Sequence, residues 1–252
     1  MKENRREFLK KSGKLLKGGL ILYTAELLIP RIVCTDAGLD YNWEKHLYGF
    51  VVDTYKCIGC GRCVQACKEE NNVPDGFYRT WVERYIITEQ EEVLIDSPRG
   101  GLDGFNERDL KDKTAKDFFV PKLCNQCSVP NCVQVCPVGA TYKTRDGIVL
   151  IDDKHCVGCG YCVKACPYGV RYIDHEGRGV ADKCTWCYHR IVKGLLPACV
   201  LACPVGARII GNLNDPESEV SRIIGENRVA VLKPELGNEP RVYYLGMDKE
   251  VR

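Results

Sequence analysis

The chain has 252 residues, enough for one or two domains with cores of their own. Its seventeen cysteines are about 7% of the residues, below the roughly 8–10% of a small disulfide scaffold. Net charge is +2, but residues 1–33 hold eight Lys/Arg and three acids, so they carry +5 and the rest −3. A basic excess confined to one end leaves no nucleic-acid footprint.

The N-terminal stretch reads as a targeting segment. Asn4-Arg5-Arg6-Glu7-Phe8-Leu9-Lys10 resembles the twin-arginine export motif, and a weakly apolar run from Gly18 to Ala25 follows it. That run lies between the charges of Lys17 and Glu26, well short of the about 20 apolar residues a spanning helix needs. The bland alternative is an amphipathic, partner-binding helix. Cys34, in Arg31-Ile32-Val33-Cys34, makes a poor lipobox because Val33 is large where a small residue is wanted. A free or removed cysteine is the expectation there.

From residue 40 the pattern becomes that of a folded domain. Tyr48–Asp53 reads as a strand, Val64–Glu70 as a short helix, and Tyr78–Thr88 as a β-branched and aromatic strand. Asn71-Asn72-Val73-Pro74-Asp75-Gly76 supplies the intervening turn. Residues 89–117 are highly charged and hold Pro98, Gly100, Gly101 and Gly104. They read as a loop or insertion, either a solvated surface or a docking surface for a partner. Further strands are expected at Ala140–Thr144, Ile148–Ile151, Val170–Asp174 and Arg208–Gly211, with short strands and turns between Val229 and Leu245.

The chemistry lies in the cysteines. Sixteen of them form four groups: Cys57, Cys60, Cys63 and Cys67; Cys124, Cys127, Cys132 and Cys136; Cys156, Cys159, Cys162 and Cys166; Cys184, Cys187, Cys199 and Cys203. Groups one and three have the spacing C-x2-C-x2-C-x3-C, the bacterial ferredoxin run for [4Fe-4S] clusters. Three closely spaced thiolates hold one cubane and the fourth, further on, ligates a different one. Gly59 and Gly61 stand between ligands, where the backbone must bend tightly. Structural zinc also uses four cysteines, and group four alone suits it. The three-plus-one pattern of groups one and three argues against zinc, because it leaves a donor that needs an external partner. Disulfides throughout are a weaker third reading.

An internal repeat accompanies the groups. Asp53 and Asp152 each lie four residues before the first cysteine of a loop that continues Cys-x-Gly-Cys-Gly-x-Cys-Val. Pro130–Ala140 parallels Pro197–Ala207 in the same way, and Pro137, Pro167 and Pro204 each directly follow a cysteine. The repeat implies an α+β fold of two pseudo-symmetric, bacterial dicluster ferredoxin-like units, with small sheets and short helices around the clusters. The histidines His46, His155, His175 and His189 are scattered without a nucleophile or paired acid, and no nucleotide-binding loop is present. No catalytic residue is assigned.

With Lys183-Cys184-Thr185-Trp186-Cys187, Gly211–Ser218 and Leu232–Gly237 added, the chain resembles a known family. This is the four-cluster iron–sulfur subunit of the DMSO-reductase, or complex iron–sulfur molybdoenzyme, superfamily. Its look-alikes include exported polysulfide, thiosulfate, tetrathionate and arsenate reductase subunits and NrfC-like proteins. Some relatives replace one fourth-group cysteine with tryptophan and hold a three-iron cluster. Here Cys184 and Cys187 are both present beside Trp186, which implies four [4Fe-4S] clusters.

The resemblance also implies a nested pairing of groups. One cluster takes Cys57, Cys60, Cys63 and Cys203; the second Cys67, Cys184, Cys187 and Cys199; the third Cys124, Cys127, Cys132 and Cys166; the fourth Cys136, Cys156, Cys159 and Cys162. Residues 1–37 are then the export signal, 38–115 the first part of one unit, with the charged insertion at 89–117, and 116–180 the nested second unit. Residues 181–211 complete the first unit and 212–252 form a C-terminal extension.

The implied function is a non-catalytic electron relay between a quinone-linked membrane subunit and a molybdopterin (Mo/W) catalytic subunit. A carrier for a quinone-linked complex without molybdenum, such as one serving a multihaem cytochrome, is the alternative. The twin-arginine route would place the chain in the periplasm or on the outer face of the cytoplasmic membrane. No run of about 20 apolar residues follows Cys203, so an integral NrfD-like partner is expected to hold it there.

Overall fold

The computed structural model describes residues 41–105 and 114–251. The twin-arginine segment, Cys34 and the middle of the charged insertion lie outside the described residues.

In chain order the strands are β1 (Tyr48–Asp53), β2 (Thr80–Thr88), β3 (Val93–Asp96), β4 (Thr114–Leu123), β5 (Thr141–Lys143), β6 (Val149–Ile151), β7 (Arg171–Ile173), β8 (Ala181–Lys183), β9 (Arg208–Asn212), β10 (Val229–Ala230) and β11 (Val242–Leu245). The α-helices are α1 (Arg62–Asn71), α2 (Asn131–Gln134), α3 (Tyr161–Lys164), α4 (Tyr188–Ile191), α5 (Ala198–Leu201) and α6 (Glu219–Glu226). This is the expected α+β mixture of small sheets and short helices.

A four-stranded sheet runs in the order β10-β11-β1-β9. β1 is antiparallel to β9 and parallel to β11, so its backbone groups are paired on both sides. Both its faces are covered as well, which is why it reads as an unbroken apolar run. Phe50 and Val52 enter the main core with Val64, Val82, Tyr85, Val120, Trp186 and Tyr244. Val51 points the other way, onto Ile209 and Val220. Burying a side chain such as Phe50 contributes about 1.5–3 kcal/mol. Helix α6 covers that second face. The Ser218 hydroxyl caps it by accepting from the Ser221 N–H at 3.2 Å, and Val220, Ile223 and Ile224 pack on the sheet.

A second sheet has the order β3-β2-β4. Pro121 lies in β4, an edge strand, where its missing N–H interrupts no ladder. Two hairpins, β5–β6 and β7–β8, complete the structure. Among the described residues no helix is long and apolar enough to cross a membrane.

Three differences from the sequence reading have physical causes. The charged stretch 89–117 is more than a loop, since it contributes β3 and the start of β4. Val93, Leu94 and Ile95 pair with Ile87, Ile86 and Tyr85, while the polar residues sit at the surface, as in the Arg84–Asp117 ion pair at 2.6 Å. Helix α1 starts at Arg62, two residues earlier than expected, because the αL conformation of Gly61 turns the chain into the helix before the third ligand. The region after residue 211, read as an extension with short strands between Val229 and Leu245, also supplies the unexpected helix α6, and its strands β10 and β11 join the sheet of β1.

Candidate metal centres

All sixteen cysteines lie within the described residues as unbridged thiols. Cys57 and Cys60 come from the loop after β1, Cys63 and Cys67 from α1, and Cys203 from the turn before β9. Cys57, Cys60, Cys63 and Cys203 line one pocket of about 20 Å³ with Ile58, Val82 and Arg208. The Ala207 N–H donates to Cys203 Sγ at 3.2 Å. Cys203 thus meets group one although it is 146 residues from Cys57 in sequence.

Cys67, Cys184, Cys187 and Cys199 are all buried. Burial raises the Cys67 pKa strongly, and the sulfurs of Cys184, Cys199 and Cys187 raise it further. Asn71 Nδ2 lies 3.6 Å from Cys67 Sγ and 3.8 Å from Cys187 Sγ. Arg79 holds that amide in place, donating to Asn71 Oδ1 at 3.0 Å while its other edge binds Asp182 at 2.9 Å. Trp186 and Cys187 take consecutive positive φ angles of 54° and 52°, a conformation costing about 1–2 kcal/mol per non-glycine residue. Anchors oppose that cost: Trp186 is 1% exposed, and its indole N–H donates to the Cys124 carbonyl at 2.9 Å. Trp186 therefore stands between this set and the next.

Cys124, Cys127, Cys132 and Cys166 line a pocket of about 20 Å³ with Asn125, Gln126, Tyr168 and Arg171. Cys136 follows α2 and Cys162 lies in α3, two helices that pack on each other, while Cys156 and Cys159 come from the loop before α3. Cys136 Sγ accepts from the Thr141 N–H at 3.5 Å, and Cys156 Sγ from the Ala181 N–H at 3.4 Å. Backbone N–H groups of Thr141, Val138, Ala140 and Gly139 outweigh burial and hold the Cys136 thiol below its ordinary value.

At four other cysteines burial wins. Cys57 and Cys199 are pushed up to about 11, and Cys127 and Cys184 to about 12. Such thiols keep their protons at neutral pH, so a metal must displace them to bind.

The buried charges decide whether an iron–sulfur cluster fits. Arg171, Lys183 and Arg208 are all within the buried interior, and among the described residues no carboxylate pairs with any of them. Arg171 and Lys183 even face each other across β7 and β8, where like charges repel. Burying unpaired cations is costly. The ionisable groups that act most strongly on Arg208 and Arg171 are cysteines. Thiolate-bound clusters supply the missing negative charge, so the donor set and its surroundings fit. When bound, they provide one-electron transfer.

Sequence reasoning missed Arg171, Arg208, Asn71 and the role of Trp186. A signal for the arginines was available, since Cys166-Pro-Tyr-Gly-Val-Arg171 and Cys203-Pro-Val-Gly-Ala-Arg208 share one pattern.

Comparison with known proteins agrees with this geometry. Two matches to models of a 4Fe-4S dicluster domain cover residues 56–140 and 115–213. The chain is 41% identical to the tetrathionate reductase B-subunit of Salmonella typhimurium, over 98% of this chain and 90% of that protein. It is 46% identical to the tetrathionate reductase B-subunit of Archaeoglobus fulgidus, over 82% and 84%. It is also 35% identical, over 98% and 99%, to the Hdr-like menaquinol oxidoreductase iron–sulfur subunit 1 of that archaeon. Two dicluster domains with sixteen cysteines give four [4Fe-4S] clusters. The chain belongs to the four-cluster iron–sulfur, electron-transfer subunits of the DMSO-reductase, or complex iron–sulfur molybdoenzyme, superfamily.

Proposed function

We propose that this chain is the non-catalytic relay of a respiratory complex, passing single electrons between an integral, NrfD-like quinone-handling subunit and a molybdopterin catalytic subunit. The observation that carries this reading is the near full-length similarity to a tetrathionate reductase subunit, joined to four cysteine groups that each send at least one member into or against one core. We assign the ligands in the nested pattern, with Cys57, Cys60, Cys63 and Cys203 on the first cluster and Cys67, Cys184, Cys187 and Cys199 on the second. Cys124, Cys127, Cys132 and Cys166 hold the third, and Cys136, Cys156, Cys159 and Cys162 the fourth. The two shared voids and the mutual influence of the Cys67 set support it. Residues 116–180 then form a unit nested within the other.

Cys60 and Cys159 are the exposed ligands. Ile58, 56% exposed, and Val157, 64% exposed, occupy equivalent loop positions beside them. These two apolar loop tips are where partner subunits approach. The N-terminal arginine pair sends the folded chain across the membrane, and its partners keep it on the outer face.

Similarity over 98% of the chain to a menaquinol oxidoreductase subunit favours a second reading, a quinone-linked complex without molybdenum. Purifying the intact complex from its host separates the two. Molybdenum or tungsten in stoichiometric amount supports the first, and haem without either metal supports the second.

A further inference from the structure

The two Cys-Pro-x-Gly-x-Arg segments place a guanidinium at the start of β9 and of β7. The third Cys-Pro segment, Cys136-Pro-Val-Gly-Ala-Thr141, has threonine there. The two arginines are held alike. Arg208 is 2% exposed and Arg171 4% exposed. Each is anchored by one threonine hydroxyl: Arg208 Nη2 donates to Thr80 Oγ1 at 2.8 Å, and Arg171 Nη1 to Thr141 Oγ1 at 3.3 Å. Among the described residues Arg208 Nε and Nη1, and Arg171 Nη2, have no hydrogen-bond partner.

A single neutral anchor does not compensate a desolvated guanidinium, which stays charged at any accessible pH. What surrounds each is sulfur. Arg208 lines the pocket of Cys57, Cys60, Cys63 and Cys203, and Arg171 that of Cys124, Cys127, Cys132 and Cys166; the thiols of Cys199 and Cys67, and of Cys162, act on them electrostatically as well. Each set draws on both clusters that its unit holds in the nested assignment.

We propose that Arg208 and Arg171 are internal counter-cations, each shared by the two clusters of one ferredoxin-like unit and each raising the reduction potentials of that pair. The inference rests on the nested ligand assignment proposed above. One-electron reduction makes a cluster more negative by one charge, with no bond made or broken and the electron taken from the reductant. A fixed cation nearby favours that more negative state, and low local dielectric enlarges the effect. The arginines act through the clusters' field and are positioning residues.

The test is an anaerobic potentiometric titration with dithionite, read by electron paramagnetic resonance, with iron and acid-labile sulfide counted on the same samples of the intact complex. Arg208→Met should keep its iron yet disfavour one-electron reduction of the Cys57 and Cys67 clusters by tenfold or more. A tenfold change is about 59 mV for one electron. Arg208→Lys should stay near the wild type, and Arg171→Met should shift the other pair instead. A fully loaded Arg208→Met protein with unmoved potentials overturns the proposal. If Arg208→Met loses iron, Arg208→Gln and Arg208→Lys decide: iron retained by Lys alone supports a charge requirement. Iron lost by both shows that shape, not charge, is needed, and overturns it. Wild-type protein without iron and sulfide would instead overturn the cluster reading itself, a result distinct from loaded protein whose potentials do not move.

Discussion

Two glycines in one ligand loop separate backbone strain from steric clash. Gly158 and Gly160 flank Cys159 and have φ angles of 67° and 77°. A methyl group at Gly160 would meet only Ile173 Cδ1, at 3.8 Å. Gly160→Ala therefore costs the left-handed conformation alone, about 1–2 kcal/mol. A methyl at Gly158 would fall under 3.0 Å from the Gly179 carbonyl oxygen, which is backbone and cannot rotate away. Gly158→Ala carries the same strain and must also displace the segment leading to β8, whose Ala181 N–H donates to Cys156 Sγ. Its cost should exceed that of Gly160→Ala by at least about 1–2 kcal/mol, the scale of overpacking a tight site. Anaerobic urea unfolding, followed by cluster absorbance and tryptophan fluorescence, measures both. Gly158→Ala should also lose more iron on gel filtration. Equal midpoints and equal iron in the two variants would refute the close approach of these loops.

Other predictions concern ligands, protons and export. Cys203→Ser and Cys57→Ser should damage the same cluster, read by electron paramagnetic resonance of the reduced variants; loss of two different clusters contradicts the nested assignment. Thiols raised to about 11 and 12 at Cys57, Cys199, Cys127 and Cys184 hold protons in the cluster-free fold that the unfolded chain releases near pH 8.5. Their contribution to that fold is complete below about pH 8.5 and is lost as pH rises through 11 to 12. Coordination must expel the same protons, so resistance of the clusters to an iron chelator should fall between pH 8.5 and 6.5; a flat profile argues against protonated thiols. Replacing Arg5 and Arg6 with Lys should leave cluster-loaded protein in the cytoplasm, and unchanged fractionation removes the twin-arginine reading.

The ligand groups were legible because cluster chemistry fixes residue type and spacing together. Strands β1, β2, β5, β6, β7 and β9 were legible through their β-branched and aromatic content: β1 keeps its expected bounds, β9 runs one residue further, and the others are one or two residues shorter at one end or both. β8 carries little such signal, and β3, Val93-Leu94-Ile95-Asp96, is short and set in a charged stretch. Ala181-Asp182-Lys183 is a strand because its register partner is Arg171-Tyr172-Ile173, a tertiary fact. Helix α6 had a readable cap in Ser218 and an apolar stripe in Val220, Ile223 and Ile224, yet a tail after the last ligand reads easily as an extension. Arg171, Lys183 and Arg208 were hidden for a different reason. Charged residues lie at the surface unless something pairs with them, and here the partners, sulfurs for the arginines and the Val149 and Cys184 carbonyls for Lys183, come close only by folding.

Whether the four cysteine groups hold cubanes is decided by counting iron and acid-labile sulfide in anaerobically purified protein. Sixteen of each per chain are expected, from four [4Fe-4S] clusters, with paramagnetic signals appearing on reduction. Metal present as zinc with sulfide near zero would contradict the cubane reading.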